Sequence, residues 1–421
     1  VLMLGNHISW VDWAMVQLAS PRPVRFVMER EVYERWYWRR FMDFFGVVPI
    51  SQARPRDALR SVTELLEQGK VVCLFPEGTM SKNAQLGEFK RGFERAAAAV
   101  SASAGARILP FYLRGLWGSR FSHASDKLKR DNRGGRPRDV IVAFGPTLPI
   151  NASAHRVKQA VFQLSVSSWQ EHAASLPSMP SAWLRVAKNR LAETSVIDAD
   201  GRHWSNRRLI AAVLLGARAL RRHVRGERIG VMLPAGSSAV ITNLAAWLAG
   251  KQVVNLDVAA NGEALAIACR RAGVTQVVTS AGRRGHAPET GPLPAGVTSI
   301  DIDALLAAHR GWRALVALGA TLLLPTSALL ALNGCRRRRP QDVATVLFSA
   351  AGSGRAGQPV AITHRNLVAN VAQIVDVLNT ECDDVVLANQ SLSHAFGLTV
   401  TLCLPLLAGV RMACQPDPND A

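Results

Sequence analysis

The sequence predicts an α/β protein made of two successive α/β units, and three observations carry that expectation. Apolar runs of strand length alternate with stretches of helical spacing along most of the chain. A small, polar, Pro-containing stretch at 173–182 interrupts the alternation. The 421 residues are enough for roughly two to four domains. Domains are therefore expected at 1–172 and 183–421, with 173–182 as the linker.

The elements follow in order. Val1-Leu2-Met3-Leu4 reads as a strand already under way, with no initiator Met before it. Residues 57–68 place Leu59, Val62, Leu65 and Leu66 at helical spacing. Val71 to Phe75 follows a Gly-Lys turn and precedes Pro76, which marks a buried strand; Arg107 to Leu113 and Val140 to Phe144 read likewise. In the second block Arg228 to Leu233, Val274 to Thr279 and Ala344 to Leu347 are strands, and Ala239 to Ala249 is a helix. The chain stops at Ala421 shortly after another apolar run, so a piece of a longer protein is expected.

One segment stands apart. Residues 314–332 carry no charge, Arg313 precedes them and Arg336 to Arg339 follow. The length approaches the ~20 residues of a spanning helix, but Pro325 sits near the middle. Three readings stay open: a spanning helix, a segment in the membrane interface, or a buried core helix. Either membrane reading suits the four arginines, which favour anionic headgroups.

Composition narrows the partners. Eight Lys and 42 Arg against 31 acids give +19 and exclude an acidic solvating chain. A basic surface favours phospholipid headgroups, acidic carrier proteins or nucleic acid. The basic residues form no nucleic-acid reading motif, so nucleic acid is not expected. Six scattered cysteines without a CxxC pair argue against a disulfide framework or a zinc site, and no metal is expected.

The chemistry concentrates in the first block. In Asn6-His7-Ile8-Ser9-Trp10-Val11-Asp12 a carboxylate five residues after a histidine can fix its tautomer and leave the second ring nitrogen as a base. Alone, this spacing also suits a surface His and a helix-capping Asp. Some 70 residues later, Phe75-Pro76-Glu77-Gly78-Thr79-Met80-Ser81 follows a strand. Such a loop lets backbone N–H groups approach an anion, and Glu77 suits a glycerol hydroxyl. Lys90 and Arg91 add cations near the loop; Arg54 and Arg56 offer bidentate phosphate contacts. Val32 to Phe41, rich in aromatic and basic residues, suits a membrane interface or a core helix with snorkelling arginines.

With these blocks in order, the first 150 residues resemble the glycerolipid acyltransferases, the lysophosphatidic acid acyltransferases and their relatives. His7 and Asp12 match that family's H-x4-D, Phe75 to Thr79 its F-P-E-G-T block, Phe45 to Ile50 its second block and Ile108-Leu109-Pro110 its fourth. The resemblance implies acyl transfer from a thioester, acyl-carrier protein or acyl-CoA, to a lysophospholipid hydroxyl, with no cofactor. It makes His7 the general base and Asp12 its orienter. Glu77, Gly78 and Thr79 fall in the acceptor site, with Arg54 and Lys90 as further candidates. Ser51 and Gln52 stand where many members carry Arg, so a glycerol phosphate acceptor is not implied.

In the second block a Gly/Ser loop, Ser349 to Gly357, follows a strand, and Thr363-His364-Arg365-Asn366 and Leu392-Ser393-His394-Ala395-Phe396-Gly397 come next. With Ile229 to Pro234 and Val254 to Asp257, these resemble the adenylate-forming superfamily and span the N-terminal part of its domain. The resemblance puts ATP phosphates at Gly352, Ser353 and Gly354 and an acyl pocket at His394, with ATP and Mg used only if the domain is functional. The family's loop lysine falls on Gln358 or Val360, and neither is Lys. A degenerate or incomplete acyl-activating domain is expected.

The order of the two blocks resembles a bacterial bifunctional family that joins 2-acylglycerophosphoethanolamine acyltransferase to acyl-carrier-protein synthetase. That implies phospholipid synthesis or remodelling at the cytoplasmic face of a bacterial inner membrane. Two alternatives remain: a 1-acylglycerol-3-phosphate acyltransferase with an inert second domain, and a non-catalytic module that binds lipid or acyl carrier.

Overall fold

The computed structural model describes all residues except 35–39, 41, 44–45, 51–54, 132–138, 281–292, 308–310, 335–338, 350–356, 379, 382 and 416–421. The chain divides into two compact units, Val1–Ala174 and Ser175–Ala421, both mixed α/β.

The first unit is built on one seven-stranded sheet. Its strands are β1 (Leu2–Gly5), β2 (Val24–Glu29), β3 (Val48–Ile50), β4 (Val71–Leu74), β5 (Arg107–Arg114), β6 (Ile141–Phe144) and β7 (Leu148–Pro149). The order is β3-β2-β4-β1-β5-β6, with β7 also on β5. β1 runs parallel to β4 and β5, while β6 and β7 pair antiparallel with β5.

Alternation along β1 divides the core. Leu2 and Leu4 point to one face, with Val72 and Ile108. Covering that face are α3 (Pro55–Glu67) through Val62 and Leu66, α4 (Gly92–Ala98) through Phe93 and Ala96, and α6 (Ala154–Ser175) through Val157 and Val161. Met3 points to the other face, where Cys73, Phe26, Phe111 and Leu113 pack with Val16 of α1 (Asp12–Ala19). Two short helices, α2 (Arg30–Tyr33) and α5 (Asp126–Asp131), lie in the connections. The sheet is thus buried on both sides, as apolar strands without polar alternation require.

The stretch 173–182 is not the linker that its composition suggests. α6 continues through Ser175, and α7 (Met179–Lys188) starts four residues later with Pro180 in its first turn, where a missing N–H costs nothing. Only 176–178 lie between the helices. Met179 and Trp183 are fully buried in the core of the second unit.

The second unit holds two sheets. The larger has the order β13-β12-β10-β11-β14-β15, from β10 (Arg228–Val231), β11 (Gln252–Asn255), β12 (Gln276–Thr279), β13 (Thr298–Asp301), β14 (Val343–Phe348) and β15 (Pro359–Thr363). It is parallel except at β14–β15. The smaller has the order β16-β17-β8-β9, from β8 (Thr194–Ile197), β9 (His203–Ser205), β16 (Val385–Ala388) and β17 (Arg411–Cys414). The main helices are α8 (Asn206–His223), α9 (Ser237–Ala249) and α10 (Gly262–Ala272). α9 is apolar nearly all round and accordingly lies in the core, with Trp247 Nε1 donating to the Ala344 carbonyl at 2.9 Å.

The apolar segment 314–332 is no single helix. After α11 (Ile302–Ala307), α12 (Trp312–Leu323) and α13 (Thr326–Leu332) meet at Pro325, whose ring and missing N–H end the first helix and start the second. Among the described residues no helix is long and apolar enough to cross a membrane. α14 (His364–Leu378), a π-helical turn at Gly397–Cys403 and α15 (Leu404–Ala408) complete the unit.

Candidate active site

Parallel pairing of β1 with β4 brings the two motifs together, because each lies just past the C-terminal end of its strand. The segment after β1 is held rigidly. Asn6 is buried and exchanges both its amide groups with the Leu113 backbone, at 3.0 and 2.7 Å. Trp10 N–H donates to the Phe121 carbonyl at 2.9 Å, beside a bridge between Ser9 and Ser122.

His7 and Asp12 meet directly. His7 Nδ1 lies 2.7 Å from Asp12 Oδ2, and the same oxygen accepts the backbone N–H of Ile8 at 2.6 Å and of Ser9 at 2.9 Å. Asp12 is fully buried and opens α1, where the helix dipole favours its charge. With three donors converging on one carboxylate oxygen, His7 donates a hydrogen bond from Nδ1–H to Asp12 and keeps the Nε2 lone pair free to act as a base. The imidazole stacks on Phe75, with centroids 4.3 Å apart and planes at 17°. Phe75 meets Phe111 edge-on at 6.0 Å.

His7 lines a cavity of about 680 Å³ with Trp10, Trp13, Phe75, Gly78, Thr79 and Lys90 among its walls. The lining is mostly apolar, with few polar groups, as suits an acyl chain with one reacting end. Gly78 takes φ +71°, and a Cβ there would stand 2.7 Å from Lys90 Nζ, so the ammonium lies over this glycine. Lys90 N–H donates to the Pro76 carbonyl at 2.8 Å, which fixes the cation's segment to the loop.

Glu77 turns its carboxylate to the backbone of the loop. Oε1 accepts the His7 N–H and Oε2 accepts the Gly87 N–H, both at 3.0 Å. The residue is 8% exposed and absent from the cavity walls. Each oxygen accepts a backbone N–H, so Glu77 clamps the His7 segment to the loop. Burial pushes its carboxyl up from the ordinary range, and the two amides pull the other way. Cys73, behind the site, is held protonated by burial and by the charge of Asp12.

Among the residues singled out from sequence, the structure therefore unites His7, Asp12, Gly78, Thr79 and Lys90. Arg54 lies outside the described residues, as does most of the stretch Val32 to Phe41. The cavity walls also include residues given no role from sequence, among them Trp10 inside the first motif, Trp13 just after it, and His123 in the loop after β5. Trp10 and Trp13 flank Asp12 in sequence, and His123 belongs to no motif. Among the described residues no group of three or more His, Cys, Asp or Glu could hold a metal.

In the second unit Gly352, Ser353 and Gly354 lie outside the described residues. Just past them, Ser349 and Gln358 close the base of the β14–β15 turn, with Ser349 N–H donating to the Gln358 carbonyl at 2.9 Å. Gln358 and Val360 are both exposed and neither is a cation, while the Arg271 guanidinium donates to the Gly357 carbonyl at 3.0 Å. Thr363 and Asn366 cap α14 reciprocally, and His364 is buried near Trp247. His394 is exposed.

Comparison with known proteins agrees with this division: an acyltransferase domain is followed by an AMP-binding domain. The AMP-binding enzyme family model matches residues 183–421, more than half of the chain, and the chain belongs to that family. The Acyltransferase family model matches residues 1–114. The chloroplastic 1-acyl-sn-glycerol-3-phosphate acyltransferase of Arabidopsis thaliana is 34% identical over 115 residues, 27% of this chain and 31% of that protein. An acyltransferase of the same name from Chlamydomonas reinhardtii is 29% identical over 174 residues, 40% of this chain and 48% of that one. The chain thus spans about a third to a half of these relatives' length. Among solved structures, VinN aligns at 22% identity and TM-score 0.45, over 56% of this chain and 59% of that one. Apo MatB from Rhodopseudomonas palustris aligns at 22% and 0.42, over 56% and 45%.

Proposed function

We propose that the first unit transfers an acyl group from a thioester, acyl-carrier protein or acyl-CoA, to the free hydroxyl of a lysophospholipid. The observation that carries this is the 2.7 Å His7–Asp12 contact at the wall of a largely apolar cavity. His7 Nε2 takes the hydroxyl proton as the oxygen attacks the thioester carbonyl. Asp12 stabilises the imidazolium. The tetrahedral intermediate collapses, the C–S bond breaks, and the leaving thiolate recovers the proton from His7, giving ester and free thiol. Every proton is accounted for by one imidazole. Lys90 and the Gly78–Thr79 loop receive the acceptor's phosphate.

The reaction belongs to phospholipid synthesis or remodelling at a membrane surface, which for a bacterial chain is the cytoplasmic face of the inner membrane. The second unit is read as an acyl-activating domain that needs ATP and Mg; with no cation at Gln358 or Val360, no adenylation step is derived for it. The test supplies labelled acyl-carrier protein or acyl-CoA together with lysophosphatidylethanolamine and lysophosphatidate in competition. Acyl transfer that disappears in His7→Ala is expected. Unchanged turnover in that variant would sink the reading. The competition ratio decides between the general lysophospholipid reading and the narrower glycerol phosphate one.

A further inference from the structure

The second unit carries an apolar stripe that its own core leaves bare. α12 buries Ala317 and Thr321 and packs on α8. Trp312, Leu315, Val316, Leu322 and Leu323 remain exposed, at 68, 70, 59, 51 and 84%. At ~100° per residue these five positions fall within an arc of about 120°, and the buried pair lies opposite. Beyond Pro325, α13 buries Leu329 and leaves Leu332 exposed. Single exposed leucines are ordinary, but a continuous stripe of large apolar side chains marks a contact surface.

The charges around the stripe choose the partner. No Asp or Glu occurs between Asp303 and Asp342, while six arginines do: Arg310, Arg313 and Arg336 to Arg339. The Arg313 guanidinium lies 5.7 Å from the Trp312 ring centroid, so this cation travels with the aromatic rather than away from it. Apolar stripe and acid-free arginine flanks together match a helix lying in the interface of an anionic bilayer. A second copy of the chain carries the same net charge of +19 and would instead be repelled. The helix is also too short to cross: its 12 residues span about 18 Å against ~30 Å of hydrocarbon.

We infer that α12 and the start of α13 form an in-plane anchor by which the second unit docks on an anionic phospholipid surface. The anchor does not rest on the acyl-transfer reading, since it is made by another unit and read by binding alone. The experiment is co-sedimentation of the full chain with phosphatidylcholine vesicles, with and without phosphatidylglycerol, beside the variant Leu315→Ser/Leu323→Ser. Both leucines are exposed, so the variant keeps the native melting curve. Wild type is expected to bind the anionic vesicles more tightly, with added salt weakening that binding. The double variant is expected to lose about a hundredfold in partitioning, roughly tenfold for each leucine kept out of lipid. His7→Ala is expected to bind as wild type does. Equal binding of wild type and the double variant overturns the inference. So does a vesicle-free dimer that the double variant abolishes, since the stripe would then belong to a second copy.

Discussion

The backbone N–H of His7 donates to Glu77 Oε1 at 3.0 Å, so the carboxylate of the second motif holds the histidine of the first. The other oxygen holds Gly87. Glu77→Gln keeps one acceptor but turns an NH2 toward a backbone N–H. The expected result is a loss of about 1–3 kcal/mol of stability, with kcat falling more than KM changes. Denaturant melts and steady-state kinetics check it. A raised KM at constant kcat would mean that Glu77 touches the acceptor after all.

Burial of Glu77 also gives a pH signature. Its carboxyl is pushed up from 4.5, so the folded state holds the proton more tightly than the unfolded chain does. The stability it contributes is therefore full below the ordinary carboxylate pKa and is lost as pH rises through the raised one. Glu77→Gln lacks this linkage. The melting temperature of Glu77→Gln relative to wild type is expected to climb as pH rises above the ordinary carboxylate range. A flat difference above that range would show that the carboxyl titrates normally.

Asp12 has two tasks, and two substitutions separate them. Asp12→Asn still offers an oxygen to the Ile8 and Ser9 amides but cannot hold the imidazolium. Its kcat is expected to fall about 10²–10⁴-fold, as for His7→Ala, with a native-like melt. Asp12→Ala leaves two buried amides without an acceptor and is expected to lose several kcal/mol, about 1–3 for each. Thermal melts beside turnover numbers distinguish the two effects.

At the cavity mouth, Gly78 and Lys90 depend on one another. A Cβ at position 78 meets Nζ at 2.7 Å, and φ +71° strains any larger residue. Gly78→Ala is expected to displace the ammonium and raise KM for a phosphate-bearing acceptor, by about tenfold for the ~1.4 kcal/mol of one weakened charge contact. Lys90→Met is expected to act likewise, with kcat little changed. An acceptor lacking phosphate is expected to be insensitive to both.

How far this was legible from sequence depends on the kind of residue. Strands such as β4, β5 and β10 are continuous apolar runs bounded by turns, and the structure keeps them within a residue or two at most ends. His7 and Asp12 were legible because their spacing is local and their contact closes within one turn. Glu77 was legible as a motif but its hydrogen-bond partners were not: they are the backbone of His7 and of Gly87, and backbone has no letter. The join at 173–182 misled because small residues and a proline fit the end of α6 and the first turn of α7 as well as a linker. The break at Pro325 was visible as a proline, whereas the bare side of α12 follows from what α8 does not cover.

A packing relay beneath the histidine gives the last prediction. Gly5 ends β1 two residues before His7, and a Cβ there would stand 2.4 Å from the Phe111 ring. Phe111 is fully buried and meets Phe75 edge-on, and Phe75 carries the imidazole. Gly5→Ala therefore forces Phe111 aside, or bends β1 away from β5, and either movement reaches His7 through two rings. Overpacking of this kind costs about 1–3 kcal/mol. Turnover is expected to fall with it although no ligand contact is altered. Pairing Gly5→Ala with Phe111→Leu relieves the clash, so partial recovery of both melting temperature and kcat is expected. If the double variant recovers stability but not kcat, the rings fill space without setting the imidazole.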